Sequence, residues 1–428
     1  MEGPRIKLRP MADFDVRGRT VIFRPDVNSP IDPKTKRIVN TNRIEKTVPT
    51  LTWLLEHGAK VALIAHQGDT LDYQNLIPLA EHAEKLSALS GRKVAYIDDV
   101  CGPAALAAVR ALGEGEAVIL GNLRYLAEEI STFESAVKLK APEMLDTWLV
   151  RSLAPLAELY VNDAFAAAHR NAPSMVAFQE LLPAAAGIQL MEEYTALKSV
   201  MEGPRRPCVY VLGGAKISDA FDMMRKVLED GAADQILAAG VTGLVMLIAK
   251  GIEVGQTTRR FLKDRGLEEF IPEAERLLKA WGSKYLLPVD LAFEDGARRA
   301  ELDVPASGAL AKDVGFPDVG RKTIARFKES IARAGSVFVN GPAGMYENPL
   351  WEEGTREIWR AIEAAPGYTV IGGGDTISAA SKFTDLTKFD YVCTGGGAMV
   401  RFLAGKRLPL IDAMEKAYER DMRAPLRR

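Results

Sequence analysis

The sequence predicts an α/β protein made of two doubly wound, parallel-sheet domains joined by a hinge. Three observations lead there. The chain has 428 residues, enough for two cores at roughly 100–200 residues per domain. Short β-branched apolar runs recur, with helical stretches between them. Such alternation builds parallel sheets with helices on both faces. The runs are also apolar on both sides, as strands covered on both faces must be.

In the first half the strand-like runs are 20–23, 61–65, 117–120 and 159–161. In the second half they are 208–212, 235–239, 285–289, 337–339, 369–371 and 391–393. Helical stretches are expected over 43–55, 76–89, 220–229 and 323–333. The junction is expected near 181–193, where Leu-Leu-Pro-Ala-Ala-Ala-Gly breaks the rhythm and a helix-like stretch over 190–201 follows. This divides the chain into 1–185 and 186–407. A second crossing is expected near 405–409, before a helical tail over 408–428.

Composition narrows the function. Hydrophobic residues make up 47% and charged residues 26%, the balance of a water-soluble globular protein. No apolar run approaches the roughly 18–20 residues needed to cross a bilayer. Residues 1–10 carry charges without an apolar centre, so no signal peptide is expected and the location is cytoplasmic. Cys101, Cys208 and Cys393 are far apart, with neither metal-ligand spacing nor a disulfide framework. A net charge of −2 gives no electrostatic case for nucleic-acid or membrane partners.

Four strand ends in the second half run into glycine-rich turns: Gly213-Gly214-Ala215-Lys216, Asn340-Gly341-Pro342-Ala343-Gly344, Gly372-Gly373-Gly374-Asp375-Thr376 and Thr394-Gly395-Gly396-Gly397-Ala398. Ligands of open α/β sheets bind outside the carboxyl ends of the strands. Glycine admits backbone N–H groups close to an anion, and a following helix N-terminus adds about half a positive charge. Lys216 offers a full charge to a phosphate, and Asp375 and Thr376 offer oxygens to magnesium and a terminal phosphate. A single glycine turn is as well explained by tight-turn chemistry; four in one half, one with lysine and one with Asp-Thr, point to a nucleotide. There is no Walker A loop, because Gly405-Lys406 is followed by Arg407, and no complete Gly-x-Gly-x-x-Gly opens either half.

The first half has different strand ends: Arg24-Pro25-Asp26-Val27-Asn28, His66-Gln67-Gly68-Asp69, Asn122-Leu123-Arg124, and Asn162-Asp163-Ala164-Phe165 with His169-Arg170 beyond. Arg43 opens a predicted helix. On one sheet edge these side chains converge into four arginines with Asp26 and Asn28 among them. Arginine grips anionic oxygens and Asp or Asn reads hydroxyls, a set suited to a small polyanion. Asp163 is read as a turn cap. His57 and His82, on helical stretches, are expected at the surface. Bringing a nucleotide and a small acid together requires domain closure, which also excludes water.

Taken in order, Arg24-x-Asp26-x-Asn28-x-Pro30, Asn122-Leu123-Arg124, Val161-Asn162-Asp163-Ala164-Phe165-x-x-x-His169-Arg170 and the four glycine turns resemble the phosphoglycerate kinase family from about residue 18 to 412. The stretch Asp163-Ala164-Phe165-Ala166-Ala167-Ala168-His169-Arg170 looks like the archaeal branch. The resemblance implies two Rossmann-like domains of similar size, usually in a monomer. The first binds the phosphoglycerate, the second binds Mg-ATP or Mg-ADP, and the C-terminal tail returns to the first. By motif, Arg24, Asp26, Asn28, Arg43, His66, Asp69, Arg124 and Arg170 would line the acid site. Gly213, Gly214, Lys216, Asn340, Gly341, Pro342, Glu347, Gly373, Gly374, Asp375 and Thr376 would hold the nucleotide, with Glu347 at the ribose and Asp375 on Mg²⁺. A carboxylate is already ionised at neutral pH, so no general base is needed. Catalysis rests on positioning and charge stabilisation by Arg43, Lys216, Mg²⁺ and the N–H groups of Gly395, Gly396 and Gly397.

Two positions depart from the family pattern. Asp69 stands where the histidine loop normally has an arginine that helps bind the substrate phosphate. At an assumed ~6 Å and effective dielectric of ~20, each charge pair is worth roughly 3 kcal/mol. The reversal is worth on the order of a thousandfold in affinity. Either the loop points away, a base such as Arg92 or Lys93 compensates, or the acid differs from 3-phosphoglycerate. Ala220 stands where many members carry a second lysine. The competing readings are a kinase for another carboxylate, a catalytically inactive nucleotide-binding module, and a dehydrogenase. Retention of Lys216, Asp375 and Thr376 argues against the inactive module, and the missing fingerprint against the dehydrogenase.

Overall fold

The structure is a computed structural model that describes residues 6–68 and 76–423. Asp69 lies outside the described residues. Two compact units emerge, Arg5–Tyr194 with Arg407–Arg428, and Thr195–Lys406. The change-over at Tyr194 falls inside the helix Ile188–Met201, later than the boundary at 185 expected from the sequence.

The first unit is built on a six-stranded sheet of β1 (Thr20–Arg24), β2 (Lys60–Leu63), β3 (Val94–Tyr96), β4 (Ala117–Ile119), β5 (Leu159–Asn162) and β6 (Ala184–Ala186). The order is β3-β4-β2-β1-β5-β6 and every pairing is parallel. The four apolar runs predicted here are β1, β2, β4 and β5. Their residues are buried on both faces; Val21, Ile22, Phe23, Val61, Leu63, Ile119 and Val161 are at most 1% exposed, and each contributes roughly 1.5–3 kcal/mol by burial. The helix Asn42–Glu56 covers one face with Ile44, Leu51, Leu54 and Leu55.

Strands β3 and β6 at the two edges are absent from the sequence expectation. β6 is three alanines, poor strand formers alone, yet it pairs Tyr160 with Ala184 through Asn162 with Ala186. The tail helix Pro409–Arg423 packs on this unit. Its Arg420 donates to the carbonyls of Gln179 at 2.5 Å and Leu182 at 3.1 Å, and the Leu410 N–H donates to Ala168 O at 3.2 Å.

The second unit has its own parallel sheet: β7 (Cys208–Leu212), β8 (Gln235–Ala238), β10 (Tyr285–Leu286), β15 (Ser336–Asn340), β16 (Tyr368–Gly372) and β17 (Tyr391–Cys393), in the order β10-β8-β7-β15-β16-β17. Between them lie a short pair, β9 (Ile252–Glu253) with β13 (Gly308–Ala309), and a small antiparallel sheet. The latter contains β11 (Asp290–Asp295), β12 (Arg298–Asp303) and β14 (Asp318–Val319). The antiparallel sheet also goes beyond the sequence expectation. Its strands alternate with charge and show no apolar run, except Leu291–Phe293. In each parallel sheet the chain starts at a central strand, moves to one side, then returns to the other. The resulting switch point lies at the carboxyl ends of β1 and β5 in one unit and β7 and β15 in the other.

Asp163, at the end of β5, is 4% exposed and caps a helix rather than a turn. Its Oδ2 accepts from Thr50 Oγ1 at 2.6 Å and its Oδ1 from the Leu190 N–H at 2.8 Å. Thr50 Oγ1 in turn accepts from the Ile188 N–H at 2.9 Å. A Cβ at Gly187 would stand 2.4 Å from this carboxyl group, so only glycine leaves room for the cap. Burial pushes the Asp163 carboxyl up to about 7. A raised carboxyl pKa means that the folded chain holds a proton the unfolded chain has released, over the window from roughly pH 4 to 7. Stability is therefore lost as pH rises through that window. Asp163→Asn removes this titration, and its melting temperature is expected to fall less than that of the parent between pH 5 and pH 8. An identical pH slope in both proteins would refute the buried titration.

Candidate active site

In the first unit the carboxyl ends of β1, β2, β4 and β5 and the start of the helix Asn42–Glu56 carry the described members of the predicted acid-binding set. Arg24 is the last residue of β1 and is 2% exposed. Its Nη2 lies 2.9 Å from His66 Nδ1, its Nε lies 3.4 Å from Ser174 Oγ, and its Nη1 donates to the Pro25 carbonyl. Arg43, in the first turn of the helix Asn42–Glu56, reaches Asp26 Oδ2 at 2.7 Å. Asp26 Oδ1 accepts from the Asn28 N–H at 3.2 Å, and Asn28 Oδ1 from the Gly68 N–H at 2.9 Å. Arg170 pairs with Glu134 at 2.7 Å, and Arg124 donates to the Glu129 carbonyl at 2.5 Å.

His66 records this convergence. It is buried, and burial holds its pKa well below the ordinary histidine value. The charges of Arg24, Arg124, Arg43 and Arg170 act on it in the same direction. His66 is therefore neutral at physiological pH, so it orients the cluster without adding to its charge. The loops are tied together by side chains. Asn122 Oδ1 accepts from the N–H groups of Gln67 at 3.1 Å and Arg124 at 3.0 Å, and its amide donates to Gln67 O at 2.9 Å. Gln67 clamps the Ser29 backbone through both ends of its amide, at 2.8 and 2.9 Å.

Two features here escape a reading of the sequence. His82 lies on a helix but is fully buried, 3.0 Å from Gln67 Oε1, and burial lowers its pKa to about 4. The surface position expected for it is wrong, because its helix turns that face toward the sheet. His57 is exposed, as expected. The second feature is Glu129, 3% exposed, which accepts from Ser174 N–H at 2.7 Å and Ser174 Oγ at 2.6 Å. Burial lowers the pKa of Arg24, and the charge of Glu129, followed by that of Asp26, opposes the fall. Burial raises the pKa of Glu129, while Arg24 and Arg124 oppose the rise. Its doublet with Glu128 looks like a solvated pair, and no local pattern marks it out.

In the second unit three helices begin where β7, β16 and β17 end: Ile217–Glu229, Gly374–Phe383 and Gly396–Leu403. Lys216 precedes the first and Asp375 lies in the first turn of the second. Lys216 Nζ stands 3.4 Å from Asp375 Oδ2, with the side chains 77% and 69% exposed. Thr376 is 1% exposed, and its hydroxyl accepts from the Gly341 N–H at 2.8 Å. Asn340 donates to Gly372 O at 2.7 Å. The β7 and β15 loops touch backbone to backbone: Gly214 N–H reaches Pro342 O at 2.8 Å, and a Cβ on Gly213 would stand only 2.2 Å from that oxygen. Gly213 and Gly341 are thus explained by packing. Gly374, Gly396 and Gly397 instead face open space, with nothing within 4 Å of an added Cβ. Gly395 caps the helix Gly396–Leu403, leaving its first N–H groups free of intrahelical partners.

Glu347 is exposed in the segment after β15. Burial raises the pKa of the neighbouring Tyr346, and the charges of Glu347 and Asp375 add to the rise. Ala220 is 1% exposed and belongs to the buried face of the helix Ile217–Glu229. Among the described residues no group of three or more His, Cys, Asp or Glu side chains could cage a metal. One exposed carboxylate at Asp375 fits magnesium, which keeps most of its ligands as water and phosphate.

Comparison with known proteins agrees with this geometry. The family profile described as phosphoglycerate kinase matches residues 11–406. The phosphoglycerate kinase of Methanothermobacter thermautotrophicus is 37% identical over 412 residues, covering 96% of this chain and 97% of that one. That of Thermococcus kodakarensis is 38% identical over 414 residues, covering 96% and 98%. The crystal structure of phosphoglycerate kinase from Pyrococcus horikoshii superposes with a TM-score of 0.82 at 34% identity, covering 96% of this chain and all of that chain. The enzyme structure from Coxiella burnetii gives 0.81 at 28% identity, covering 96% and 99%. With a profile spanning nearly the whole chain and two parallel-sheet units of the same fold, this chain belongs to the phosphoglycerate kinase family.

Proposed function

We propose that this protein transfers a phosphoryl group reversibly between ATP and the carboxylate of 3-phosphoglycerate, giving ADP and 1,3-bisphosphoglycerate. The observation that carries this reading is Lys216 beside Asp375 among three helix N-termini, a site built for a metal-bound polyphosphate. Arg24, Arg43, Arg124 and Arg170, with neutral His66 at their centre, bind the acid. Asp26 and Asn28 read its hydroxyl. Lys216, Asn340, Glu347, Asp375 and Thr376 hold the nucleotide. Asp375 would hold Mg²⁺, which would supply charge neutralisation for the phosphates. The acid's carboxylate is ionised at neutral pH and attacks without a base. The charge spread over the transferring phosphoryl group is met by Arg43, Lys216 and the N–H groups of Gly395–Gly397. The enzyme acts as a cytoplasmic monomer on small soluble substrates.

The test is a coupled assay of the purified protein with Mg-ATP and 3-phosphoglycerate, reading acyl-phosphate formation. Robust turnover is expected; ATP binding without turnover would refute this acid and favour another carboxylate. Asp69 carries the question of substrate identity. If its negative charge weakens phosphate binding, Asp69→Arg is expected to lower KM for 3-phosphoglycerate by roughly ten- to a thousandfold. An unchanged or higher KM would show that Asp69 does not govern this specificity.

A further inference from the structure

The nucleotide reading leaves one buried ion pair of the second unit without a role. Asp318 lies on β14 and its side chain is fully buried. Its Oδ2 accepts from Arg299 Nη1 at 2.7 Å and from the Gly354 N–H at 2.8 Å. The other oxygen, Oδ1, has no hydrogen-bond partner among the described residues. It is pressed instead against two glycines. A Cβ would stand 2.3 Å from Oδ1 at Gly344 and 2.2 Å from it at Gly354.

Those glycines bracket one segment. Gly344 ends the loop that follows β15, whose Gly341 bonds to Thr376. Gly354 lies in the first turn of the helix Glu353–Glu363. Between them run Tyr346 and Glu347. Both ends of the segment are fastened around Asp318: the Met345 N–H donates to Pro317 O at 2.9 Å, and the Gly344 N–H donates to Thr355 Oγ1 at 3.1 Å. Arg299 holds the carboxylate in turn. Its Nη2 donates to Val319 O at 2.7 Å, and Glu353 and Glu301 lie 3.2 and 3.4 Å from its Nε.

A buried ion pair adds little net stability, because desolvation cancels most of the attraction. Its use here is geometric. A hydrophobic residue cannot hold the Gly354 N–H, and a larger one cannot fit beneath Gly344. We propose that Asp318, held by Arg299, is a positioning residue that sets the path of the Gly344–Gly354 segment and thereby the placement of Glu347 on the nucleotide ribose. This deepens the nucleotide reading and rests on it.

The test is Asp318→Asn, which keeps the shape and removes the charge. Calorimetric titration with Mg-ADP is expected to show at least a tenfold weaker affinity. KM for ATP should rise in proportion, while kcat at saturation and KM for the acid stay within about twofold. Gly344→Ala should give the same nucleotide defect by steric overlap. Adding Asp318→Ala should shrink the effect of Gly344→Ala without abolishing it, since the Asp318 overlap goes while Pro317 O still lies 2.7 Å from the new Cβ. A melting temperature that falls while nucleotide affinity stays put would overturn the proposal, as would equal effects of Gly344→Ala in both backgrounds. If the parent protein binds no Mg-ADP, it is the nucleotide reading that fails.

Discussion

Lys216→Ala is expected to lower kcat by about two to three orders of magnitude while leaving the melting temperature almost unchanged. The two halves of this expectation have separate causes. In the free protein Lys216 is 77% exposed and, among the described residues, its only ion pair is with Asp375, itself 69% exposed. Such pairs are worth about 0–1 kcal/mol, so stability barely depends on it. In the proposed role the same ammonium faces the phosphoryl oxygens during transfer, in a site from which ligands have displaced water. Removing one such donor typically costs about 10²–10³ in turnover. Lys216→Arg keeps the charge on a longer, planar group and should recover part of the rate. Steady-state kinetics beside thermal denaturation checks both halves. Normal turnover in Lys216→Ala would remove the phosphate role, whatever happened to stability.

Arg43→Ala should have the second-largest effect, and of a different kind. Arg43 is partly exposed and 2.7 Å from Asp26. Its loss removes a cation from the four that surround His66 and also leaves Asp26 unneutralised on the same edge. An anionic substrate then meets one positive charge fewer and one uncompensated negative charge more. We expect KM for the acid to rise and kcat to fall, together lowering kcat/KM by about a thousandfold, on the order of 4 kcal/mol. KM for ATP should stay nearly constant, because Arg43 belongs to the unit proposed to bind the acid. A change confined to KM would show that Arg43 binds ground state and transition state alike, and would leave the transition-state charge to Lys216 and the glycine loop.

The strands and loops that build both sites were legible in the residues themselves. Runs such as 208–212 and 337–339 are apolar on both faces, so they had to be central parallel strands, and parallel strands bring their following turns to one edge. That argument alone gathers Arg24, His66, Arg124 and Arg170 in one unit and Lys216, Asn340 and Asp375 in the other. The order of the glycine turns and the Asn162–Arg170 stretch then narrowed the reading to one family. Polar residues that serve the sites from beneath were not legible. Glu129, Asp318 and His82 look like ordinary charged or amphipathic positions in their local sequence. Nothing within several residues of Glu129 points to Ser174, or of Asp318 to Arg299.

By itself, then, the sequence determined the α/β class, the two parallel-sheet units and the family, and it proposed the residues that face the ligands, because alternation, burial on both faces and turn chemistry are local properties. The tertiary structure decided the rest. It made a strand of Ala184–Ala186 by offering Leu159–Asn162 a partner. It turned Asp163 into the cap of a helix that starts far along the chain. It buried Glu129 and Asp318 where each holds a charged or glycine-rich neighbour in place. These outcomes depend on groups distant in sequence meeting in a low-dielectric interior, where an unpaired polar atom is costly and a partner fixes geometry.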